Sequence, residues 1–260
     1  METNDRPRFN LDLCIIAAEY DLPRLENTLK ILPNVDNIYI LETQKSTDGE
    51  DKVELVNSAG NIHHYRWYWN DTHFHFANAR NKAFGLSDNE WIMWLDCDDS
   101  LHPHDCAWIN SNLPSISDDI GGIMFACAGL AHFDGIPLEK LKDVPGIGVE
   151  NWGYWSSPTI RILRRKAAKF TGRVHEQVLD SIHQAGFKLM ISDMVVKHRG
   201  YVTTLDNYIN KMKRNIELLN LQLEEESAFD GIYMEYLENS KASLKGLLDL
   251  KDSMESSSSA

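Results

Sequence analysis

Apolar positions in the first half of the chain come as short runs parted by polar, turn-rich stretches. Residues 11–18 form a largely apolar run that suits a buried strand. Asp21-Leu22-Pro23 then opens a helix over residues 21–32, with Leu22, Leu25, Leu29 and Leu32 on one face. Residues 35–41 predict a second strand, which ends at the polar loop Glu42-Thr43-Gln44-Lys45-Ser46-Thr47-Asp48-Gly49. Val53, Leu55 and Val56 mark a second helix, residues 62–69 a third strand, and residues 76–86 a third helix carrying Ala77, Arg80, Asn81 and Lys82. The run Trp91-Ile92-Met93-Trp94-Leu95 predicts a strand buried on both faces. A helix after Pro103 and a strand over residues 122–128 follow. Such alternation predicts an α/β fold, Rossmann-like, with a doubly wound, mostly parallel sheet and helices on both faces.

The pattern changes near Leu130. Pro137, Pro145, Gly146 and Gly148 space out a long loop ending in Asn151-Trp152-Gly153-Tyr154-Trp155. Loops of this length are commonly functional, so Trp152, Tyr154 and Trp155 are candidates to stack on an acceptor; packing on the sheet edge is the competing reading. Strand-like stretches at 159–163, 187–191 and 194–197 frame Gly172-Arg173-Val174-His175-Glu176 and His198-Arg199-Gly200-Tyr201. Helical periodicity returns over 204–226, with Ile209, Met212, Ile216, Leu219 and Leu223 on one stripe, and again over 232–250. The chain divides into an α/β domain (1–202), a C-terminal helical pair (203–252) and a serine-rich tail (253–260) expected to be disordered. The helical pair is expected to pack on the main domain or to build a homo-oligomer.

A length of 260 residues allows one substantial core, and a formal charge of −13 argues against a surface that coats nucleic acid. The start is polar and the first apolar run is short, so neither a signal peptide nor a membrane span is expected; the protein is read as cytoplasmic. Four cysteines, Cys14, Cys97, Cys106 and Cys127, lack paired spacing, which suits reduced thiols rather than a zinc site.

The chemistry concentrates where the strand at Trp91 runs out into Asp96-Cys97-Asp98-Asp99. Three carboxylates at the mouth of a buried strand repel one another and resist desolvation, so a cation must compensate. Turn formation by Asp98 and Asp99 with capping by Asp96 is the plainer alternative. Ligands of open α/β sheets bind beyond the carboxyl ends of the strands, which brings Ala18-Glu19, Glu42-Thr43, Trp69-Asn70-Asp71 and Asp96 to Asp99 to one cleft. An Asp-x-Asp there suits a nucleotide diphosphate. A hard divalent cation on Asp98 would neutralise the leaving diphosphate, Asp96 would accept a ribose hydroxyl, and Asp99 would buttress the turn.

Five ordered motifs sharpen this: Trp69-Asn70-Asp71; Phe76-Ala77-Asn78-Ala79-Arg80-Asn81; Glu90-Trp91-Ile92 leading into Leu95-Asp96-Cys97-Asp98-Asp99; Gly172-Arg173-Val174-His175-Glu176; and Lys197-His198-Arg199-Gly200-Tyr201. With the Lys213-Arg214-Asn215-Ile216-Glu217 helix, they resemble a family 2 glycosyltransferase of the GT-A fold, in the subgroup containing bacteriocin peptide S-glycosyltransferases. The resemblance spans residues 11 to 226. It implies a metal-dependent inverting transfer from a nucleotide-sugar donor, with a UDP-sugar favoured and Mg2+ or Mn2+ as the ion. It also implies that Ala18 and Glu19 flank the base, that Glu42 stands near it, and that Arg80 faces the ribose or diphosphate. The acidic loop departs from the family pattern, with Glu42 in place of the usual aspartate and one extra residue, which leaves base identity open. The acceptor class stays open among peptide, saccharide, small molecule and modified nucleobase.

Inversion needs a base opposite the leaving group. Glu176 is the first choice and His175 its rival; a structural bridge from Glu176 to Arg173 or Arg161 is the alternative. His198, ahead of Gly200 at a strand end, is the second metal candidate beside a structural reading. Arg161, Arg164, Arg165, Lys166 and Lys169 form the most basic stretch, read as a diphosphate or anionic-acceptor contact or as a solvated edge. A nucleotide-diphosphate hydrolase or nucleotidyltransferase is the runner-up, but Ala17-Ala18-Glu19-Tyr20 supplies no glycine-rich phosphate loop. A non-catalytic nucleotide-sugar-binding module would be expected to lose the acids, and these are present.

Overall fold

The computed structural model describes residues 9–134, 136, 138–141, 144, 154–225 and 230–258. Its strands are β1 (Leu11–Ala18), β2 (Asn37–Lys45), β3 (Lys52–Ala59), β4 (Ile62–Trp69), β5 (Trp91–Asp96), β6 (Asp99–Ser100), β7 (Ile120–Phe133), β8 (Tyr154–Arg164) and β9 (Lys188–Thr203). Its helices are α1 (Leu25–Thr28), α2 (Phe76–Phe84), α3 (Pro103–Asn112), α4 (Leu138–Leu141), α5 (Leu179–Gln184), α6 (Leu205–Glu225) and α7 (Asp230–Ser258). All nine strands lie in one sheet, ordered β3-β4-β2-β1-β5-β8-β7-β9-β6.

The parallel block β4-β2-β1-β5 matches the expected α/β sheet. Beyond it β8 enters antiparallel between β5 and β7, and β9 runs parallel to β7. The two-residue β6 then returns antiparallel on β9, setting Asp99 directly opposite His198. One face packs Leu13, Ile15, Met93 and Leu95 against Cys106 and Ile109 of α3. The other packs Cys14, Ile92 and Trp94 against Ala79, Ala83 and Phe84 of α2. All four cysteines are buried and free.

Three expectations change. Residues 52–59 are strand β3, not a helix. It pairs antiparallel with β4 through the two-residue turn Gly60-Asn61, where Gly60 takes φ +63°. The Gly-Asn turn and β-branched Val53 and Val56 carry a hairpin signal that outweighs the spacing of three apolar residues. As an edge strand, β3 leaves Val53, Leu55 and Val56 exposed. The first helix shrinks to a 3-10 turn, Glu19–Arg24, which contains Pro23, and the single turn α1. Its apolar face is nonetheless used, with Leu22, Leu29 and Leu32 packed on the core. The serine-rich end is helical as far as Ser258, within α7, rather than a disordered tail from residue 253.

The helical pair shares its core with the sheet. Tyr208, Ile209 and Met212 of α6 and Leu247 of α7 meet Phe133 and Ile136, while Leu218, Leu219, Tyr233 and Leu237 close over Val174. Buried Arg173 ties the junction. Its guanidinium forks onto Glu225 of α6 at 2.7 and 2.6 Å and reaches Asp71 at 3.1 Å. A chain ending at Thr203 would expose these apolar faces and take Glu225 from Arg173, so we expect it to lose cooperative unfolding in calorimetry. A truncated chain melting cooperatively within about 5 °C of the full chain would show the helices to be a dispensable appendage.

Candidate functional site

The acidic turn after β5 is pinned before any ligand arrives. The Thr28 hydroxyl of α1 lies 2.7 Å from the Cys97 carbonyl and 2.9 Å from that of Asp99, and the Asp96 N–H donates to Asp99 Oδ2 at 2.8 Å. Asp99 is wholly buried. Its Oδ2 sits 3.0 Å from Arg161 Nη1, off the line of an N–H, and its Oδ1 meets His198 Nδ1 at 2.9 Å. Asp99 is thus the buttress expected of it. Asp96 and Asp98 keep partly open side chains, 30% and 17% exposed.

Two arginines answer these acids. Arg80 of α2 donates from Nη2 to Asp96 Oδ1 at 2.7 Å, and Arg161 of β8 approaches Asp96 Oδ2 at 3.9 Å. Their guanidinium carbons lie 3.7 and 3.8 Å from the centre of the Trp94 ring. Two planar cations cannot share one face at that distance, so they sandwich the indole. The Trp94 N–H donates to the Ile160 carbonyl at 2.8 Å and fixes the ring. Burial alone would raise the Asp96 pKa, but Arg80, Arg161 and His198 outweigh it and hold the carboxyl well below its ordinary range. Burial dominates at Asp98 and, with the charges of Asp96 and Asp99, raises its pKa against the pull of His198 and Lys211. His198 is raised despite burial by its bond to Asp99 and by all three acids. Arg24 stands 3.8 Å from Asp98, and Lys211 of α6 donates to the Gly200 carbonyl at 3.4 Å.

Glu176 joins this centre. Arg80 Nε donates to its Oε1 at 2.8 Å, so its bridge is to Arg80 rather than to Arg173 or Arg161. The loop that carries it is tied to α2, whose first N–H groups at Phe76 and Ala77 donate to the carbonyls of Arg173 and Gly172. Gly172 is obligatory there: at φ +96° a Cβ would lie 2.4 Å from the Tyr233 hydroxyl. His175 takes φ +53° and stacks on Tyr236 of α7 at 4.4 Å, where burial lowers its pKa.

Of the other expected residues, Glu42, Ala18 and Glu19 make no hydrogen bond to this centre among the described residues. Glu42 is 2% exposed, gripped by Arg66 at 2.9 and 3.0 Å and by His64 at 3.0 Å, a separate cluster between β2 and β4. Ala18 ends β1 opposite Thr43, and Glu19 is exposed. Trp152 lies outside the described residues, as do the side chains of Tyr154 and Trp155, whose backbone opens β8. The basic stretch is not one patch. Arg161 and Arg164 are buried, the latter stacked on Trp91 and paired with Glu90. Sequence reasoning missed Thr28, Trp94, Arg24 and Lys211 in this centre. An arginine enclosed by apolar neighbours, as in Ile160-Arg161-Ile162, was the available signal for a buried counter-charge.

Among solved structures, the chain aligns with GalNAc-T7 with UDP, GalNAc and Mn2+ at a TM-score of 0.46 and 13% identity, covering 80% of this chain and 48% of that one. It aligns with S. aureus TarS at 0.44 and 12% (81% and 40% covered), and with S. aureus TarS 1-349 in complex with UDP at 0.37 and 8% (80% and 65% covered). The chain spans about half or less of the first two. No family model matches it, and neither does any curated protein sequence. No helix among the described residues is long and apolar enough to cross a membrane.

The neighbouring acids differ in kind, and stability separates them. Asp99→Asn removes the partner of a buried guanidinium and should cost about 3–5 kcal/mol in urea unfolding at pH 7. Asp98→Asn, in protein stripped of metal by chelator, should be neutral or stabilising. Because the folded Asp98 pKa is raised, its charge disfavours the fold as pH climbs through that pKa, so any gain should vanish below about pH 4. Equal losses in the two variants would sink this division.

Proposed function

We propose that this chain is a GT-A-type glycosyltransferase that moves a sugar from a nucleotide-diphosphate donor, a UDP-sugar first of all, with a divalent metal and inversion at the anomeric carbon. The observation that carries the reading is the Asp96-Cys97-Asp98 end of β5, at the carboxyl edge of the parallel block, faced by His198 across the β6 and β9 pairing.

The residues fit a hard divalent ion. Ligand atoms of Asp96, Asp99 and His198 lie within 4.8 Å of one another. The oxygens of Asp99 are already engaged by His198, Arg161 and a backbone N–H, so Asp99 is better suited to orient than to ligate. The contact of His198 Nδ1 with Asp99 Oδ1 would fix the imidazole ring beside Asp98. A Cβ on Gly200 would fall 2.3 Å from His198 Nε2 and 3.1 Å from Asp98 Oδ2, so glycine is what lets the two groups close on one point. Asp98 and His198 would hold Mg2+ or Mn2+. The ion, when bound, neutralises the diphosphate as it leaves. Asp96, kept ionised by Arg80 and Arg161, accepts from a ribose hydroxyl, while Arg24 and Lys211 add positive charge beside Asp98. Glu176, beside Asp96 on the same guanidinium, takes the acceptor proton as the new bond forms and the bond to diphosphate breaks. His175, stacked on Tyr236, is the less favoured base. Ala18 and Glu19 stand at the edge where a base would enter. Trp152, Tyr154 and Trp155 stay candidates for the acceptor side.

UDP with Mn2+ should raise the melting temperature of the wild-type protein, and UDP without metal should do so far less. Saturating ligand at about 100 times Kd corresponds to about 2.7 kcal/mol. Asp98→Ala should abolish the metal-dependent part. If no nucleotide diphosphate stabilises the protein in Mn2+, the donor site is wrong. Mass spectrometry of peptide, saccharide and nucleobase acceptors after incubation with mixed UDP-sugars would identify the acceptor.

A further inference from the structure

Three arginines in this chain present the same edge, Nε and Nη2, to carboxylates. Arg66 gives both N–H groups to Glu42, and Arg173 gives both to Glu225. Arg80 divides them. Its Nε donates to Glu176 Oε1 at 2.8 Å and its Nη2 to Asp96 Oδ1 at 2.7 Å. One planar fork therefore sets two different carboxylates side by side, 96 and 16 positions away in sequence.

The fork has little freedom to move. Arg80 is 4% exposed, has its guanidinium carbon 3.7 Å from the centre of the Trp94 ring, and leaves its Nη1 buried without a hydrogen-bond partner among the described residues. A cation this buried is costly, and two carboxylates this close repel. Their joint arrangement is favourable only while a single rigid, delocalised cation lies between them. A lysine ammonium is a point charge on a flexible stem and cannot fix both directions.

We infer that Arg80 is a positioning residue that couples the two halves of the site: it orients Glu176, on the acceptor side, relative to Asp96, on the donor side. The inference rests on the glycosyltransferase reading, in which Asp96 meets the ribose and Glu176 the acceptor. In that reading Arg80 acts through the two carboxylates it holds at 2.8 and 2.7 Å. It fixes where the base stands with respect to the donor, so its loss falls on turnover rather than on donor affinity.

The test is a double-mutant cycle on the full chain with Mn2+. Turnover is read as UDP released from a mixture of UDP-glucose, UDP-galactose and their N-acetylamino counterparts with water as acceptor, and donor binding as the UDP dissociation constant from calorimetry. Arg80→Lys should lower kcat by about 100-fold while UDP affinity stays within about threefold of wild type. Glu176→Gln should lower kcat by about 1000-fold. In that background Arg80→Lys should cost less than about threefold more, because the group it orients is gone. Equal costs of Arg80→Lys in the two backgrounds, or a loss confined to UDP affinity, would overturn the inference.

If Arg80→Lys shows no cooperative melting, Asp96→Asn replaces it in the cycle. Its effect on kcat should disappear beside Glu176→Gln while its effect on UDP affinity persists; additive kcat losses would again count against the coupling. Absence of Mn2+-dependent UDP binding by the wild-type protein overturns the glycosyltransferase reading and this inference together. Wild-type binding and turnover with additive losses overturn the inference alone.

Discussion

Two guanidiniums stacked on one indole hold Asp96 and Asp99 at the end of a buried strand, and the rest of the site depends on that arrangement. Taking an ion out of water costs several kcal/mol, and three like charges within four residues add their mutual repulsion. Arg80 and Arg161 offset this from opposite faces of Trp94. Trp94 belongs to the same strand as Asp96, so strand and counter-charges are positioned by one element. The remaining acid, Asp98, has no guanidinium of comparable closeness, and Arg24 reaches it only at 3.8 Å from the surface. Its burial is therefore the least compensated in the cluster, which is the state expected of a carboxylate kept for an exogenous cation.

The topology explains how distant residues reach this point. The parallel block aligns the ends of β1, β2, β4 and β5, a consequence of local strand periodicity and crossover handedness. Bringing His198 over Asp99 takes a different device: a two-residue strand after the acidic turn, paired antiparallel with the far end of β9. Glu176 arrives by a third route. Its loop satisfies the first N–H groups of α2, the helix that carries Arg80. The loop of Glu176 is thus fixed to the first turn of the helix whose middle carries Arg80, and α6 secures the loop through Arg173 and Glu225.

What was legible in the sequence follows the range of the interaction. Strands β4 and β5, helix α2 and the stripe of α6 are local patterns, and they stand where periodicity put them. The segment 52–59 was misread because three apolar residues in eight satisfy a loose helical spacing, whereas the deciding feature was the Gly60-Asn61 turn beyond its end. The burial of Asp99 follows from its place at the start of β6, paired with His198 of β9, and strand pairing of that range is not written in the local sequence. The partner of Glu176 was not legible either: the sequence offers several arginines, and nothing local distinguishes Arg80 from Arg161 or Arg173. Glu42 shows the same limit. Its position at the end of β2 was readable, but its capture by Arg66 and His64 on β4 depends on strand register.

The helical pair bears on function through the same logic. A separate appendage would leave the Glu176 loop resting on α2 alone, with Val174 facing water. Instead α6 and α7 cover Val174, Tyr236 of α7 stacks on His175, and Gly172 exists to admit the Tyr233 hydroxyl. Each of these contacts touches a residue within four positions of Glu176. The C-terminal helices thereby set the conformation of the loop that carries the candidate base, and Lys211 of the same α6 reaches the Gly200 carbonyl beside the metal candidates. One helix thus contacts both the loop of Glu176, through Glu225 and Arg173, and the backbone at Gly200, so a change in its packing would be felt at both places together.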